Sequence, residues 1–222
     1  MKTKAVLFDL DDTLIDFVGF KRKAVSAAAR AMVSAGLRTD SGKLANRLLK
    51  FYYSYGIESD DAFERFLLAE FGRAEPRIVA AGVNAYLKEK YAHLKPYPGV
   101  VETLRRLKKR GLKLAVVSDG LRLKAWMRLN AAGLDKYFDA VVTFEDTGKK
   151  KPHKAPFLKA CKTLKVKPKE CIMVGDWVER DIEGAKALGM RTCWAKYGSN
   201  AFAGSADCEI NNISEILNLV AG

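Results

Sequence analysis

The sequence predicts an α/β fold in which a doubly wound parallel sheet carries an inserted all-helical module. Three observations predict it: one buried-strand pattern at the start, a long stretch of purely helical periodicity, and then an alternation of short apolar runs with amphipathic segments. Apolar strands of this kind are typical of a parallel sheet that is covered on both faces. The 222 residues and the hydrophobic content of 49% suffice for one such domain with an insert.

The residue pattern in the first half of the chain predicts one strand followed by helices. Residues 4–9 form an apolar strand that ends in carboxylates, and from about residue 20 to 93 apolar residues recur at three- and four-residue spacing. Breaks are predicted near 36–42, 56–59 and 72–76. The aromatic cluster at 51–55 would either line a pocket or pack the interior, and its helical spacing favours packing. A Pro-Tyr-Pro-Gly run at 96–99 ends this stretch.

After this run, helix and strand patterns alternate to the end of the chain. The predicted helices are 99–110, 121–132, 155–164, 180–188 and 213–220, and the predicted strands are 112–117, 139–143, 171–175, 190–195 and 208–210. The core domain is therefore predicted to comprise residues 1–15 and 97–222. Residues 16–96 are predicted to form a separate helical lid.

The net charge and the cysteine pattern limit which partners and cofactors are expected. The formal net charge is +13, and nine lysines with no acidic residue lie between Thr147 and Lys169. No nucleic-acid motif accompanies them, so we interpret most as exposed helix faces and do not expect nucleic acid as a partner. The four cysteines lack the spacing of metal ligands, which predicts buried thiols. A disulfide between two of them remains an alternative. No apolar run reaches the length of a membrane span, so we expect a cytoplasmic protein without membrane association. We expect it to be a monomer or a homodimer.

Polar and acidic groups follow the strands of the predicted core. The first strand ends in Asp9-Leu-Asp11-Asp12-Thr13, the strand 112–117 in Ser118-Asp119-Gly120, and the strand 171–175 in Asp176, with Asp181 five residues on. After the strand 139–143 comes a lysine run that ends at Lys151. A single acidic strand end would be explained by a turn or a helix cap. Because the carboxyl ends of parallel strands meet at one edge, these ends together predict one site.

The chemistry of these groups indicates what the site binds. Crowded carboxylates repel one another, and a hard divalent cation with oxygen ligands relieves that repulsion. Since neither thiol nor imidazole is offered, we expect Mg²⁺. Lys151 supplies a cation for a nucleophile and an incoming phosphate. Ser118, with the amides of Asp119 and Gly120, offers donors for phosphate oxygens.

Four segments resemble the successive motifs of the haloacid dehalogenase superfamily phosphatases. They are Ala-Val-Leu-Phe-Asp9-Leu-Asp11-Asp-Thr13, Val-Val-Ser118-Asp-Gly, Lys151-Pro followed by Phe157, and Val-Gly-Asp176-Trp-Val-Glu-Arg-Asp181. They occur in the order found in that family, and the helical insert resembles the small cap of one large subgroup. The resemblance implies a Rossmann-like core with an inserted all-helical cap domain.

The resemblance also implies catalytic and metal-binding roles. Asp9 would be the nucleophile that forms an aspartyl-phosphate, and Asp11 would protonate the leaving group and then activate water. Mg²⁺ would be bound by Asp9, by Asp176 and by the backbone carbonyl of Asp11. Lys151 would be the catalytic cation, chosen over Lys150 because a proline follows it.

Further residues would bind the substrate or support the site. The substrate-binding residues would be Ser118, Asp119, Gly120 and Lys151, and the supporting residues would be Thr13 and Asp181. Asp181 would hold Lys151 or a metal-bound water. Trp177 departs from the small polar residue that is frequent in the family, and His153 is interpreted as a surface or capping residue.

The predicted function is therefore a magnesium-dependent phosphatase, a phosphoric monoester hydrolase that acts on a small phosphorylated metabolite. The alternatives are a phosphomutase, a 2-haloacid dehalogenase, or a non-catalytic phosphate-binding regulator. Attack on carbon needs neither the second acid Asp11 nor the metal ligand Asp176, which argues against a dehalogenase. A phosphomutase would use the same residues under a cap that excludes water. The presence of every catalytic residue argues against a regulator.

Overall fold

The computed structural model describes residues 2–56, 59, 61–198 and 206–220. The chain divides into two compact units, the first formed by Met1–Asp16 with Lys95–Gly222 and the second by Phe17–Leu94. That the second unit acts as a cap stays a prediction. Within the described ranges, no helix is both long enough and apolar enough to cross a bilayer.

Within its described residues, the second unit contains helices and no strand. Its helices are α1 (Phe17–Ser34), α2 (Ser41–Tyr55), α3 (Ala62–Phe71) and α4 (Pro76–His93). The breaks between them lie at the three positions that glycine and proline predict. Asp40 caps α2 by accepting a hydrogen bond from the Lys43 N–H at 2.8 Å, and Pro76 begins α4.

The aromatic cluster of α2 contributes to the interior of this helical unit. Tyr52 is buried, with its ring edge-to-face on Phe63 and stacked on Tyr86. Tyr53 and Tyr55 are exposed. The packing interpretation therefore holds for Tyr52.

In the described part of the chain, the first unit contains a six-stranded sheet in which all pairings are parallel. The strands are β1 (Ala5–Phe8), β2 (Lys113–Val117), β3 (Ala140–Val142), β4 (Cys171–Gly175), β5 (Arg191–Ala195) and β6 (Cys208–Ile210). The order β3-β2-β1-β4-β5-β6 places β1 and β4 where the strand succession reverses. Sheets of this kind bind ligands beyond the carboxyl ends of the strands at that reversal.

Helices accompany this sheet, as the alternating pattern predicts. They are α5 (Val100–Lys109), α6 (Arg122–Ala131), α7 (Phe144–Thr147), α8 (Lys154–Leu164), α9 (Gly184–Lys186) and α10 (Ile216–Leu219). One core cluster joins Leu7 of β1 and Met173 of β4 to Phe157 of α8, all three fully buried. Every residue of β1 and β4 is buried, which explains why these strands are apolar on both faces.

The main difference from the predicted elements lies after β4. The predicted helix 180–188 is instead a π-helical turn, Val178–Glu183, followed by the short α9. The predicted helix 213–220 begins as a 3₁₀ turn, Ile213–Glu215. Pi-helical turns frequently occur at functional sites, and this one carries Asp181.

The cysteines are free thiols. Cys161 and Cys171 are buried with their Sγ atoms 3.7 Å apart, and Cys193 is also buried. Cys208 is half-buried, and its Sγ lies 3.3 Å from the Thr192 carbonyl oxygen. The prediction of buried thiols is confirmed for three of the four.

Candidate active site

The loop after β1 places the first acidic group. Asp9 extends the pairing of β1 with β4, because its N–H donates to the Val174 carbonyl oxygen at 2.9 Å. The chain then turns at Asp12, whose φ of 59° lies in the left-handed region that Asp and Asn tolerate. Gly198 packs so closely on this turn that a Cβ there would lie 1.5 Å from the Asp12 carbonyl oxygen. Only glycine fits at that position.

Thr13 connects this loop to the end of β4. Its buried hydroxyl donates to Asp176 Oδ1 at 3.1 Å, and its carbonyl accepts from the Tyr197 hydroxyl at 2.8 Å. The Trp194 Nε1–H donates to the Asp176 carbonyl at 3.0 Å. These bonds fix both the backbone and the carboxylate of Asp176.

The π-helical turn brings Asp181 back to the end of β4. Its Oδ2 accepts from the Trp177 N–H at 3.1 Å. A Cβ at Gly175 would lie 2.3 Å from that same oxygen, so the close approach of the carboxylate needs glycine. Asp181 is 1% exposed although it is acidic, which means that it needs a partner inside the protein.

That partner is Lys151. Lys151 Nζ lies 2.7 Å from Asp181 Oδ1 and also contacts Asp9 Oδ1. Its N–H donates to Asp119 Oδ1 at 2.8 Å, and its peptide bond to Pro152 is cis. Burial disfavours the ammonium, but the carboxylates of Asp181, Asp9 and Asp119 outweigh burial and raise the pKa of Lys151 above its ordinary value.

The burial of Lys151 sets it apart from the surrounding basic segment. Eight of the nine lysines between Thr147 and Lys169 are exposed, whereas Lys151 is 5% exposed. The interpretation of that segment as an exposed basic face with one functional lysine agrees with this pattern. His153 likewise matches its capping interpretation, because its Nδ1 accepts from the Ala155 N–H at the start of α8.

Three carboxylates meet around this lysine. One oxygen from each of Asp9, Asp176 and Asp181 lies within 4.8 Å of the other two, so the group could hold a metal ion. Burial, and then the charges of Asp9 and Asp181, raise the pKa of Asp176 to about 9. Burial also raises the pKa of Asp181 to about 7, against the opposing attraction of Lys151. The Lys151 ammonium contacts two of these three carboxylates, those of Asp9 and Asp181, so one positive charge is set against three acidic groups. This leaves negative charge uncompensated when all three are ionised.

These raised pKa values predict the pH dependence of stability. A carboxyl whose pKa is higher in the folded than in the unfolded protein binds a proton on folding, so the free energy of unfolding falls as pH rises between the two pKa values. For Asp176 that interval runs from 3.8 to about 9. In protein dialysed against a chelator, we expect the melting temperature, followed by circular dichroism, to fall across this interval.

Two variants give this experiment its controls. Asp176→Asn should flatten the profile between about pH 7 and 9, because Asp176 is the carboxyl whose interval reaches that far, while the fall that Asp181 contributes below about pH 7 should remain. Asp207→Asn should leave the slope of the profile unchanged at neutral and higher pH, since the hydrogen bonds and cations around Asp207 lower the pKa of that carboxyl despite partial burial. The stability that Asp207 adds is lost only as pH falls through its lowered pKa. A parent profile that stays flat or rises with pH would contradict the prediction.

The loop after β2 lies on the other side of β1 from β4. Ser118 is buried, its N–H donates to the Val142 carbonyl at 2.9 Å, and its Oγ accepts from the Gly120 N–H at 3.1 Å. The Gly120 amide is thus engaged within its own turn, and its predicted contact with phosphate stays a prediction. Asp119 anchors the N–H of Lys151 and so ties the second motif to the third.

Asp11 contacts a different cation. Its Oδ1 lies 2.9 Å from Nε of Arg128, a residue of α6 that is 2% exposed. Within the described residues, the Asp11 carboxylate is not one of the three that could hold a metal ion. A metal contact through its backbone carbonyl stays a prediction.

Arg128 is not among the site residues that the sequence motifs predict. Arg128 lies on the buried face of α6 together with Ala125 and Leu129. A charged residue at core-facing spacing is the signal that could have identified it. Trp177, in contrast, is 47% exposed, with the Arg180 guanidinium 3.7 Å from its ring centroid.

Comparison with known proteins identifies the family. A family model described as a haloacid dehalogenase-like hydrolase matches residues 3–189, which include all four motifs. The chain belongs to the haloacid dehalogenase-like hydrolases. This hydrolase also has curated relatives that are named as phosphatases.

Three similar proteins illustrate the relationship. The glyceraldehyde 3-phosphate phosphatase of Methanocaldococcus jannaschii is 37% identical over 220 residues, which cover 98% of this hydrolase and 96% of that protein. The protein of the same name from Methanopyrus kandleri is 41% identical over 197 residues, covering 88% and 84%. The crystal structure of a HAD phosphatase from Thermococcus onnurineus matches with a TM-score of 0.69 and 28% identity over 99% of both chains.

These comparisons confirm three predictions from the sequence: the family, the α/β fold with a parallel sheet, and the enzyme class. The hydrolase is a phosphatase, a phosphoric monoester hydrolase. The roles of individual residues stay predictions, for which the geometry above supplies the arguments.

Proposed function

We propose that this hydrolase is a Mg²⁺-dependent phosphatase that transfers the phosphoryl group of a small metabolite to Asp9 and then to water. The observation that supports the proposal best is the buried Lys151, which contacts Asp9 and Asp181 beside Asp176. A carboxylate nucleophile next to a fixed cation, in a site with spare negative charge, suits phosphoryl transfer. Catalysis of that reaction rests mainly on positioning and charge neutralisation.

The residues present fit a magnesium ion. Both carboxylate oxygens of Asp181 are engaged, Oδ1 by Lys151 and Oδ2 by the Trp177 N–H, whereas the contacts of Asp9 with Lys151 and of Asp176 with Thr13 involve only Oδ1. Asp9 and Asp176 are therefore the carboxylates that would hold the metal. The donor set consists of oxygen atoms, and its uncompensated charge matches a hard divalent cation. When bound, Mg²⁺ would neutralise phosphate oxygens and orient them for in-line attack.

In the first step, an Asp9 carboxylate oxygen forms a bond to phosphorus while the bond from phosphorus to the leaving oxygen breaks. Lys151 fixes the orientation of the attacking carboxylate through its contact with Asp9 Oδ1. The Ser118 hydroxyl would donate to a phosphate oxygen. Asp11, on the same loop as Asp9, would give a proton to the leaving oxygen.

In the second step, water attacks the phosphorus of the aspartyl-phosphate. Asp11, now a carboxylate, would take the proton of that water as the new phosphorus–oxygen bond forms. The bond between phosphorus and Asp9 breaks, which restores the Asp9 carboxylate and releases inorganic phosphate. One proton and one phosphoryl group therefore pass through the site in each cycle.

Glyceraldehyde 3-phosphate is the substrate that we propose to test first. Two relatives at 37% and 41% identity carry that activity in their names. In a panel with sugar phosphates, nucleotides and small phosphorylated acids, kcat/KM should be highest for glyceraldehyde 3-phosphate, by about tenfold or more. A clear preference for another substrate would reject this assignment and leave the phosphatase proposal intact.

Metal dependence gives the next expected result. Chelation should lower phosphate release from an aryl phosphate by more than about 100-fold, and Mg²⁺ should restore it. Ca²⁺ should not restore it, because its larger and looser coordination misplaces Asp9 against phosphorus. Mg²⁺ should also raise the melting temperature of the parent but not of Asp176→Asn. Full activity in the presence of chelator would contradict the assignment of Asp176 as a metal ligand.

The same assay separates the alternative reactions. A dehalogenase would release halide from a short 2-haloacid in the presence of chelator, and a phosphomutase would isomerise a sugar phosphate without releasing inorganic phosphate. A non-catalytic regulator would bind phosphate without turnover. Release of inorganic phosphate that requires Mg²⁺ excludes all three.

A further inference from the structure

Arg128 is the largest of the fully buried side chains among the described residues. It lies on the core-facing side of α6, between Ala125 and Leu129, and is 2% exposed. Desolvating a guanidinium is costly unless an anion accompanies it, and an apolar side chain of similar volume would fill the same space at lower electrostatic cost. The position of this charge therefore calls for an explanation beyond packing.

An anion beside Arg128 is the carboxylate of Asp11, with Oδ1 2.9 Å from Nε. Asp11 belongs to the loop after β1, so the contact connects α6 to the loop that also carries Asp9. Lys151 contacts two further acidic residues of this edge, Asp9 and Asp181. Two buried cations thus pair with different carboxylates, Arg128 with Asp11 and Lys151 with Asp9 and Asp181. Asp11 and Asp9 have separate tasks in the proposed reaction.

We propose that Arg128 is a positioning residue that holds the Asp11 carboxylate in the orientation from which it transfers protons. The proposal rests on the proposed function, because it concerns the acid–base step of that reaction. The side chain of Asp11 is 28% exposed and so has room to move, whereas Arg128 is locked in the core. Proton transfer requires the acid to lie within hydrogen-bond reach of the leaving oxygen and later of the water, so a fixed partner is useful in both steps.

A purely structural ion pair would behave differently in kinetics. Loss of a structural pair loosens the whole site and lowers the rates of all substrates together. Loss of a positioning pair affects only those steps that need proton transfer. Formation of the aspartyl-phosphate from an aryl phosphate needs little acid, while formation from an alkyl phosphate and hydrolysis of the aspartyl-phosphate both need Asp11.

The test compares Arg128→Lys and Arg128→Met with the parent on an aryl phosphate and on an alkyl phosphate in saturating Mg²⁺. We expect kcat/KM for the aryl phosphate to change little and that for the alkyl phosphate to fall by about tenfold or more. For the aryl phosphate, kcat should fall, and intact-mass spectrometry of quenched enzyme should show accumulated phosphoenzyme. Arg128→Lys should be the milder variant, because it keeps the charge but loses the planar guanidinium.

Two controls keep the result interpretable. Arg122→Met removes an exposed arginine from the same helix and should match the parent. In an Asp11→Asn background, Arg128→Lys should cause no further loss, because the residue would act only through Asp11. If Arg128→Met does not fold, Arg128→Lys decides alone.

The outcomes separate the two claims. Equal losses on both substrates without phosphoenzyme, or parent-like kinetics of Arg128→Lys, would overturn the role of Arg128 while the phosphatase mechanism stands. Additive losses in the double variant would overturn it as well. If the parent itself released no phosphate, the proposed function would fail, and the role of Arg128 would fall with it.

Discussion

Asp9→Asn is expected to lower turnover of every phosphate ester by at least about 10⁴-fold, because the variant has lost its nucleophile. A neutral amide attacks phosphorus poorly and is also a weaker ligand for a hard cation. The amide also cannot form an ion pair with Lys151, whose Nζ contacts Asp9 Oδ1. The measurement is phosphate release in saturating Mg²⁺, with folding verified by circular dichroism.

Asp12→Asn is the matched control for this variant. It makes the same chemical change three positions along, and asparagine tolerates the left-handed φ of 59° at least as well as aspartate. We therefore expect Asp12→Asn to keep its fold and most of its activity. If Asp12→Asn lost as much activity as Asp9→Asn, charge in the loop rather than the nucleophile would explain the effect.

Lys151→Met should produce the second large effect, on activity and stability together. It leaves the Asp181 carboxylate buried without its cation and removes the charge that holds Asp9. Loss of one partner from a buried ion pair costs about 3–5 kcal/mol of stability. We expect turnover to fall by about 10³-fold, because positioning of the nucleophile and phosphate charge neutralisation are lost together.

Lys150→Met provides the comparison for Lys151. Lys150 is exposed and lies one residue away, so its loss should change neither the melting temperature nor kcat appreciably. Chemical denaturation and phosphate release measured on both variants test the expectation. A larger loss for Lys150→Met than for Lys151→Met would move the catalytic lysine to position 150.

Much of the fold was predictable because local patterns determine it. The strand β1 is apolar throughout because both of its faces are buried, and the helices α1 to α4 end at glycines and prolines that break the helical pattern. Each of these signals lies within the element that it predicts or within a few residues of its end. The position of the site at one edge of the sheet was predictable from the topology, because parallel strands bring their acidic carboxyl ends together.

Other features depend on specific side-chain contacts, some of them between distant parts of the chain. The π-helical turn replaces a predicted helix, with the Asp181 side chain bonded to the Trp177 N–H and packed against Gly175. Gly198 is required by the carbonyl of Asp12, far away in sequence. The pairing of Arg128 with Asp11 joins α6 to the loop after β1. Periodicity can flag a charge at a buried position, but it cannot identify the partner.

The identity of the phosphoryl acceptor tests the central claim most directly. Asp11→Asn, mixed with an aryl phosphate and Mg²⁺ and then quenched in acid, should show one added phosphoryl group by intact-mass spectrometry, because the first step proceeds and the second stalls. The double variant Asp9→Asn with Asp11→Asn should show none. An adduct that persists in the double variant, or parent-like turnover of Asp11→Asn without an adduct, would contradict the proposed mechanism.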